Sequence, residues 1–119
     1  MEQKDVLKAL QRDHAAELKL AAKRLKGTAR HTRIIPSPVL SETTGHEILL
    51  KPENLQVTGS FKIRGAYNKI ASLSEEELSH GIVTASAGNH AQGVAYAARE
   101  RGAKATICMP QITPPLKVD

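Results

Sequence analysis

From residue 47 onward, short apolar runs alternate with segments of helical character, and this alternation restricts the fold more than any other feature. The runs are "EILLK" (47–51), "GIVTA" (81–85) and "KATICM" (104–109). Between the first two lies a helix expected over about 61–72, with Ala66, Ile70 and Leu73 on one side. Ser74-Glu75-Glu76-Glu77 then has the spacing of a capping box. Between the second and third runs, "AQGVAYAARER" (91–101) reads as a helix closed by Gly102. The order strand–helix–strand–helix–strand predicts an α/β fold, a parallel sheet with flanking helices and right-handed crossovers. On this reading "EILLK" is a buried strand stopped by Pro52, and Cys108 is a small buried residue in the third strand.

The N-terminal third reads differently. Residues 4–26 repeat apolar side chains at helical spacing, with Leu7, Leu10, Leu18, Ala21, Leu25 and His14 on one stripe, and Gly27 is a stop. "RHTRIIPSPVLSETTG" follows as a connection with a short extended piece around Ile34 to Leu40. Two regions result, 1–33 and 34–119. The first holds nine Lys/Arg against four acids, the second eight of each, so the whole net charge of +5 sits in the N-terminal region. That region has no aromatic residue for base stacking and no nucleic-acid reading motif, so a solvated basic helix face is expected. No apolar run nears the ~20 residues that span a bilayer, and the start lacks the apolar stretch of a signal peptide. A cytoplasmic setting is the expectation. One cysteine permits no internal disulfide. The 119 residues suffice for one modest domain. A sheet of three or four parallel strands needs helices on both faces, and too few follow Pro110. The chain therefore reads as the first part of a larger protein.

Ligands of open parallel sheets bind beyond the carboxyl ends of the strands. Two segments converge there, 52–64 and 86–90. In "TGSFKIRG" (58–65), Ser60 is the expected N-cap, which puts Lys62 near the second helical position. The positive end of a helix weakens a lysine's hold on its proton, and burial acts in the same direction. A neutral amine condenses with a carbonyl. Gly59 and Gly65 leave room for backbone to approach a bound group. The alternative is a surface lysine whose stem packs on Phe61. "SAGNH" (86–90) joins a strand to a helix, and its backbone N–H groups suit a carboxylate or phosphate. The alternative is a plain turn capped by Ser86 or Asn89. Neither a Gly-x-Gly-x-x-Gly dinucleotide loop nor a P-loop occurs. The five histidines are scattered without metal-ligand spacing.

Taken together, "KPENLQVTGSFKIRGAYNK", "TASAGNHAQGVAYAA" and "ATICMP" resemble the threonine dehydratases (threonine ammonia-lyases). These belong to the pyridoxal 5'-phosphate enzymes of fold type II, the tryptophan-synthase-β-like architecture. The resemblance runs over about 28–119. It implies that Lys62 binds the cofactor covalently and shuttles the substrate's α-proton, that Phe61 packs near the cofactor, and that Asn89 bonds its ring hydroxyl. It further implies that the Ser86, Ala87, Gly88, Asn89 and His90 turn holds the substrate carboxylate. The reaction would be β-elimination of water from L-threonine or L-serine, giving a 2-oxo acid and ammonia. Its setting would be amino-acid metabolism, isoleucine biosynthesis included, in a homo-oligomer. Serine racemases are similar but usually carry a second serine at position 87, and Ala87 favours dehydration. Cysteine-synthase-like members usually have Asp where Ile63 stands. In the family the phosphate-binding glycine loop and the group facing the pyridine nitrogen come later in the chain. A fragment without them is expected to hold the cofactor weakly and catalyse little. Two other readings are a serine racemase-like enzyme and a non-catalytic interaction module working through the basic helix.

Overall fold

The computed structural model describes residues 13–113. Helix α1 runs His14–Leu25, opened by Asp13, whose carboxylate accepts the Ala16 N–H at 2.9 Å. Residues 4–12 of the expected helix, Leu7 and Leu10 among them, lie outside the described residues. The stripe is not a buried face among those that are described: Leu18 is exposed, and Ala21 and Leu25 are half-buried. The Arg24 guanidinium ties α1 to the next long helix by donating to Asn68 Oδ1 at 3.2 Å.

The expectation of an extended piece over 34–40 needs correcting. Only Ile35–Pro36 is a strand, β1, and Pro38–Thr44 is a helix, α2. Pro38 occupies the first helical turn, where its fixed φ and missing N–H cost nothing, and Gly45 closes the helix at φ 69°. "EILLK" is corrected as well. Its strand, β2, is only Leu49–Leu50, pairs antiparallel with β1, and is exposed. It has no place in the parallel sheet.

The core forms further along. A 3₁₀ turn (Glu53–Leu55) leads into α3 (Lys62–Ile70), followed by α4 (Glu75–Ser79), β3 (Ile82–Ala85), α5 (Asn89–Glu100) and β4 (Ala105–Cys108). The capping box at Ser74 forms as its spacing predicts. β3 and β4 are parallel, from Ile82 opposite Ala105 to Ala85 opposite Cys108. Helices α3 and α5 pack through Ala66 and Ile70 on one side and Val94 and Ala97 on the other, and Ile63, Ala91 and Ala98 are buried as well. Small side chains on α5 let the two backbones come close. Leu78 of α4 and Ile82 of β3 complete the cluster. Along both strands exposure alternates, so Ile82, Thr84, Ala105 and Ile107 face the helices and Val83, Ala85, Thr106 and Cys108 face away. Cys108 is thus exposed, against the expectation of burial, because nothing among the described residues covers that face.

Candidate functional site

Lys62 is the first residue of α3. The chain reaches it through a turn in which the Gly59 N–H donates to Gln56 O at 2.9 Å and Gly59 takes φ 69°, a conformation suited to glycine. Ser60 is buried but is not the N-cap that its type predicts. Phe61 holds that position in a helical conformation, without a side-chain cap. The Ser60 hydroxyl only accepts the Lys62 N–H at 3.4 Å. Lys62 and Phe61 are both exposed, and the ammonium lies 5.0 Å from the Phe61 ring centroid. The burial expected for Lys62 is therefore not supplied by the described residues. Four residues earlier, the Thr58 hydroxyl is buried and has no hydrogen-bond partner among them.

The second segment is set by the sheet. The Ser86 N–H donates to Cys108 O at 3.1 Å, extending the β3–β4 ladder by one bond. The Ser86 hydroxyl then accepts the Gly88 N–H at 3.3 Å, so one donor of the expected anion cradle is engaged within the turn. Gly88 is the N-cap of α5, and Asn89 and His90 are its first two residues, both exposed, as is Ala87.

One contact brings the segments together. A Cβ built on Gly93 would lie 3.2 Å from Lys62 C and O and 3.3 Å from Ile63 N, all backbone atoms. The peptide joining Lys62 to Ile63 thus rests against α5. Asn89 stands four residues before Gly93, about 6 Å along the axis. Phe61, Lys62 and the 86–90 turn therefore share one end of the α3–α5 pair. The groove between α3 and β3, about 360 Å³, is a different place: His90 and Thr84 line it, and Lys62, Ser86 and Asn89 do not.

Sequence reasoning gave no role to a polar cluster behind Lys62. Arg64 donates to Glu53 twice, Nε to Oε2 at 2.7 Å and Nη2 to Oε1 at 2.8 Å. Thr32 Oγ1 donates to the same carboxylate at 2.6 Å, and Gln56 Nε2 reaches it at 3.4 Å. Gln56 also pairs with the Arg30 backbone, accepting its N–H at 2.9 Å and donating to its carbonyl at 2.8 Å. Lys51 Nζ donates to the Thr32 carbonyl. The Arg64 hydrogen bonds, aided by those from Thr32 and Gln56, hold the Glu53 carboxyl down to about 2 against the opposing effect of burial. The signal was present in the sequence: a second cation, Arg64, in a first helical turn demands a counter-charge.

A family model described as pyridoxal-phosphate dependent enzyme matches residues 25–119. The L-threonine ammonia-lyase of Thermotoga maritima is 61% identical over 102 residues, which is 86% of this chain and 25% of that protein. The serine racemase structure from Dictyostelium discoideum superposes with a TM-score of 0.82 at 44% identity, covering 87% of this chain and 34% of that one. Threonine deaminase isoform 2 from Solanum lycopersicum, in its processed form, gives 0.75 at 39% identity, covering 91% and 31%. The chain spans between 15% and 25% of the length of the first three curated relatives.

Proposed function

The chain belongs to the family of pyridoxal-phosphate dependent enzymes, and on that premise we propose that it carries the lysine-bearing part of a dehydratase acting on L-threonine or L-serine. The overall reaction eliminates water across Cα and Cβ and then hydrolyses the product to a 2-oxo acid and ammonia. The observation that supports this reading is the contact of α5 against the Lys62–Ile63 peptide, which brings the start of α3 to the end of α5 that carries the turn at 86–90.

The residues suit the cofactor chemically. Lys62 is an exposed primary amine engaged in no ion pair among the described residues. Thr58 offers an unused hydroxyl nearby in sequence. The start of α5 offers N–H groups and the Asn89 amide. When bound, the cofactor supplies the electron sink for carbanion chemistry. In this reading Lys62 Nζ anchors it and moves the proton at the substrate Cα. Asn89 would bond the ring hydroxyl, and Phe61 would pack near the cofactor. Ser86, Ala87, Gly88, Asn89 and His90 orient the substrate carboxylate.

Likeness to a serine racemase favours a second reading, in which the same site inverts Cα. Ala87 weighs against it, because a methyl cannot exchange a proton on the second face. One set of measurements separates the readings. The complete gene product is incubated with cofactor and borohydride, the labelled peptide is mapped, and 2-oxo acid and D-serine are quantified. We expect the label on Lys62, 2-oxobutanoate from L-threonine, and loss of both in Lys62→Ala. A label elsewhere, or full activity in Lys62→Ala, would falsify the assignment. D-serine as the main product would transfer it to the racemase reading.

A further inference from the structure

Resting on the reading of Lys62 as the cofactor lysine, we propose that Glu53 and Arg64 are positioning residues that fix where α3 begins and so where Lys62 presents its amine. Three observations lead there. First, α3 starts without a side-chain cap: Phe61 is in a helical conformation, and the Ser60 contact to Lys62 is long. A helix end without a cap frays unless something else holds it. Second, Arg64 sits in that first turn, where the helix dipole repels a cation. The two-pronged bond to Glu53 offsets that repulsion and has a planar geometry that only a guanidinium supplies. Third, the carboxylate is itself immobilised by Thr32 and Gln56, which are 5% and 4% exposed. Gln56 locks onto the Arg30 backbone, and Arg64 Nη2 also donates to the Arg30 carbonyl at 3.2 Å. Segments 30–32, 53–56 and 62–64 thus meet at the Glu53 carboxylate, whose partner Arg64 is two residues from Lys62. The residue between, Ile63, is completely buried, so its side chain also anchors the same turn.

Neither Glu53 nor Arg64 need touch cofactor or substrate. Their effect passes through the backbone of the first turn. Misplacement of a reacting group by about 1 Å can cost on the order of a hundredfold in rate. A clamp of this kind therefore matters beyond its contribution to folding.

The test uses the complete gene product and compares Arg64→Lys, Glu53→Gln and Thr32→Val with Ile70→Val. Ile70 lies in the core at the far end of the same helix, and its truncation lowers stability without touching the clamp. Thr32→Val removes one bond to Glu53 at nearly constant shape and serves if the two charge variants fail to fold. Three quantities are read: the melting temperature without cofactor, the cofactor dissociation constant, and the circular dichroism of the bound cofactor at saturation. The positioning role predicts that Arg64→Lys and Glu53→Gln raise the dissociation constant about tenfold or more and weaken the cofactor band. Thr32→Val shifts both in the same direction by less, and Ile70→Val moves only the melting temperature. Arg64→Lys or Thr32→Val with the cofactor band and affinity of the unsubstituted protein would overturn the proposal while leaving Lys62 labelled. So would a change no larger than that of Ile70→Val. A label that never lands on Lys62 removes the reading beneath it instead.

Discussion

On the proposed reading of the site, residue 87 presents a single methyl where a hydroxyl would add a second proton carrier. Ala87 is exposed, lies two residues beyond the end of β3, and belongs to a chain whose only positive φ angles among the described residues are those of glycines. Serine can therefore enter without steric or backbone cost. We expect Ala87→Ser in the complete gene product to form D-serine from L-serine at a rate well above that of the unsubstituted enzyme, with dehydration retained. Chiral chromatography of the reaction mixture measures it, and unchanged D-serine output would show that position 87 does not set reaction choice. The two cations of "TGSFKIRG" show what one-residue reasoning can reach. The helix dipole disfavours both. For Arg64 the structure supplies the answer, a carboxylate eleven residues back in the chain. For Lys62 it supplies none of the expected burial, only the face of Phe61. Burial depends on what else packs around a residue, and no local pattern encodes that.

At the scale of elements, signals confined to four or five residues were legible, as was the parallel pairing of β3 with β4, whereas the antiparallel pairing of β1 with β2 was not. The capping box formed as its spacing predicts, with the Glu77 N–H donating to Ser74 Oγ at 3.2 Å and the Ser74 N–H to Glu77 Oε2 at 2.8 Å. Ser74→Ala should therefore cost about 1 kcal/mol of stability, measurable by urea denaturation. Helix α2 escaped notice although Pro38 and Gly45 bracket it, because its interior "VLSETT" is rich in residues that favour extended chain or turns. β2 is a strand, as expected, but lies outside the parallel sheet in which the sequence placed it, since "EILLK" carries no mark of its partner β1. The link between the 3₁₀ turn and α3 yields a pH prediction. Glu53 has a folded pKa of about 2 against an ordinary 4.5. A depressed carboxylate pKa contributes stability that is complete above about 4.5 and is lost as pH falls toward 2. The melting temperature should thus decline between those values, and Glu53→Gln should flatten the decline while lowering stability at neutral pH. An equally steep acid limb in Glu53→Gln would place its origin elsewhere.

On the scale of the whole molecule, the described residues clothe one face of the parallel pair and leave the other uncovered. Ile82, Thr84, Ala105 and Ile107 turn toward α3 and α5, whereas Val83, 74% exposed, lies on the opposite face with Ala85, Thr106 and Cys108. Parallel strands are ordinarily covered on both faces, and the alternation of apolar runs with helices made that requirement visible in the sequence. It could not say what does the covering. Cys108 is a built-in reporter, because it is the one thiol in the chain and sits on the uncovered face. In the isolated 119-residue polypeptide we expect Ellman's reagent to titrate Cys108 under native conditions nearly as fast as in denaturant. In a polypeptide as long as the relatives, of which this chain matches a quarter or less, packing over β3 and β4 should slow that reaction at least tenfold. Slow labelling of the short chain at every concentration would mean that its own residues cover the face. Labelling that slows only as concentration rises would mean that copies of the chain meet there, as an exposed apolar strand surface invites.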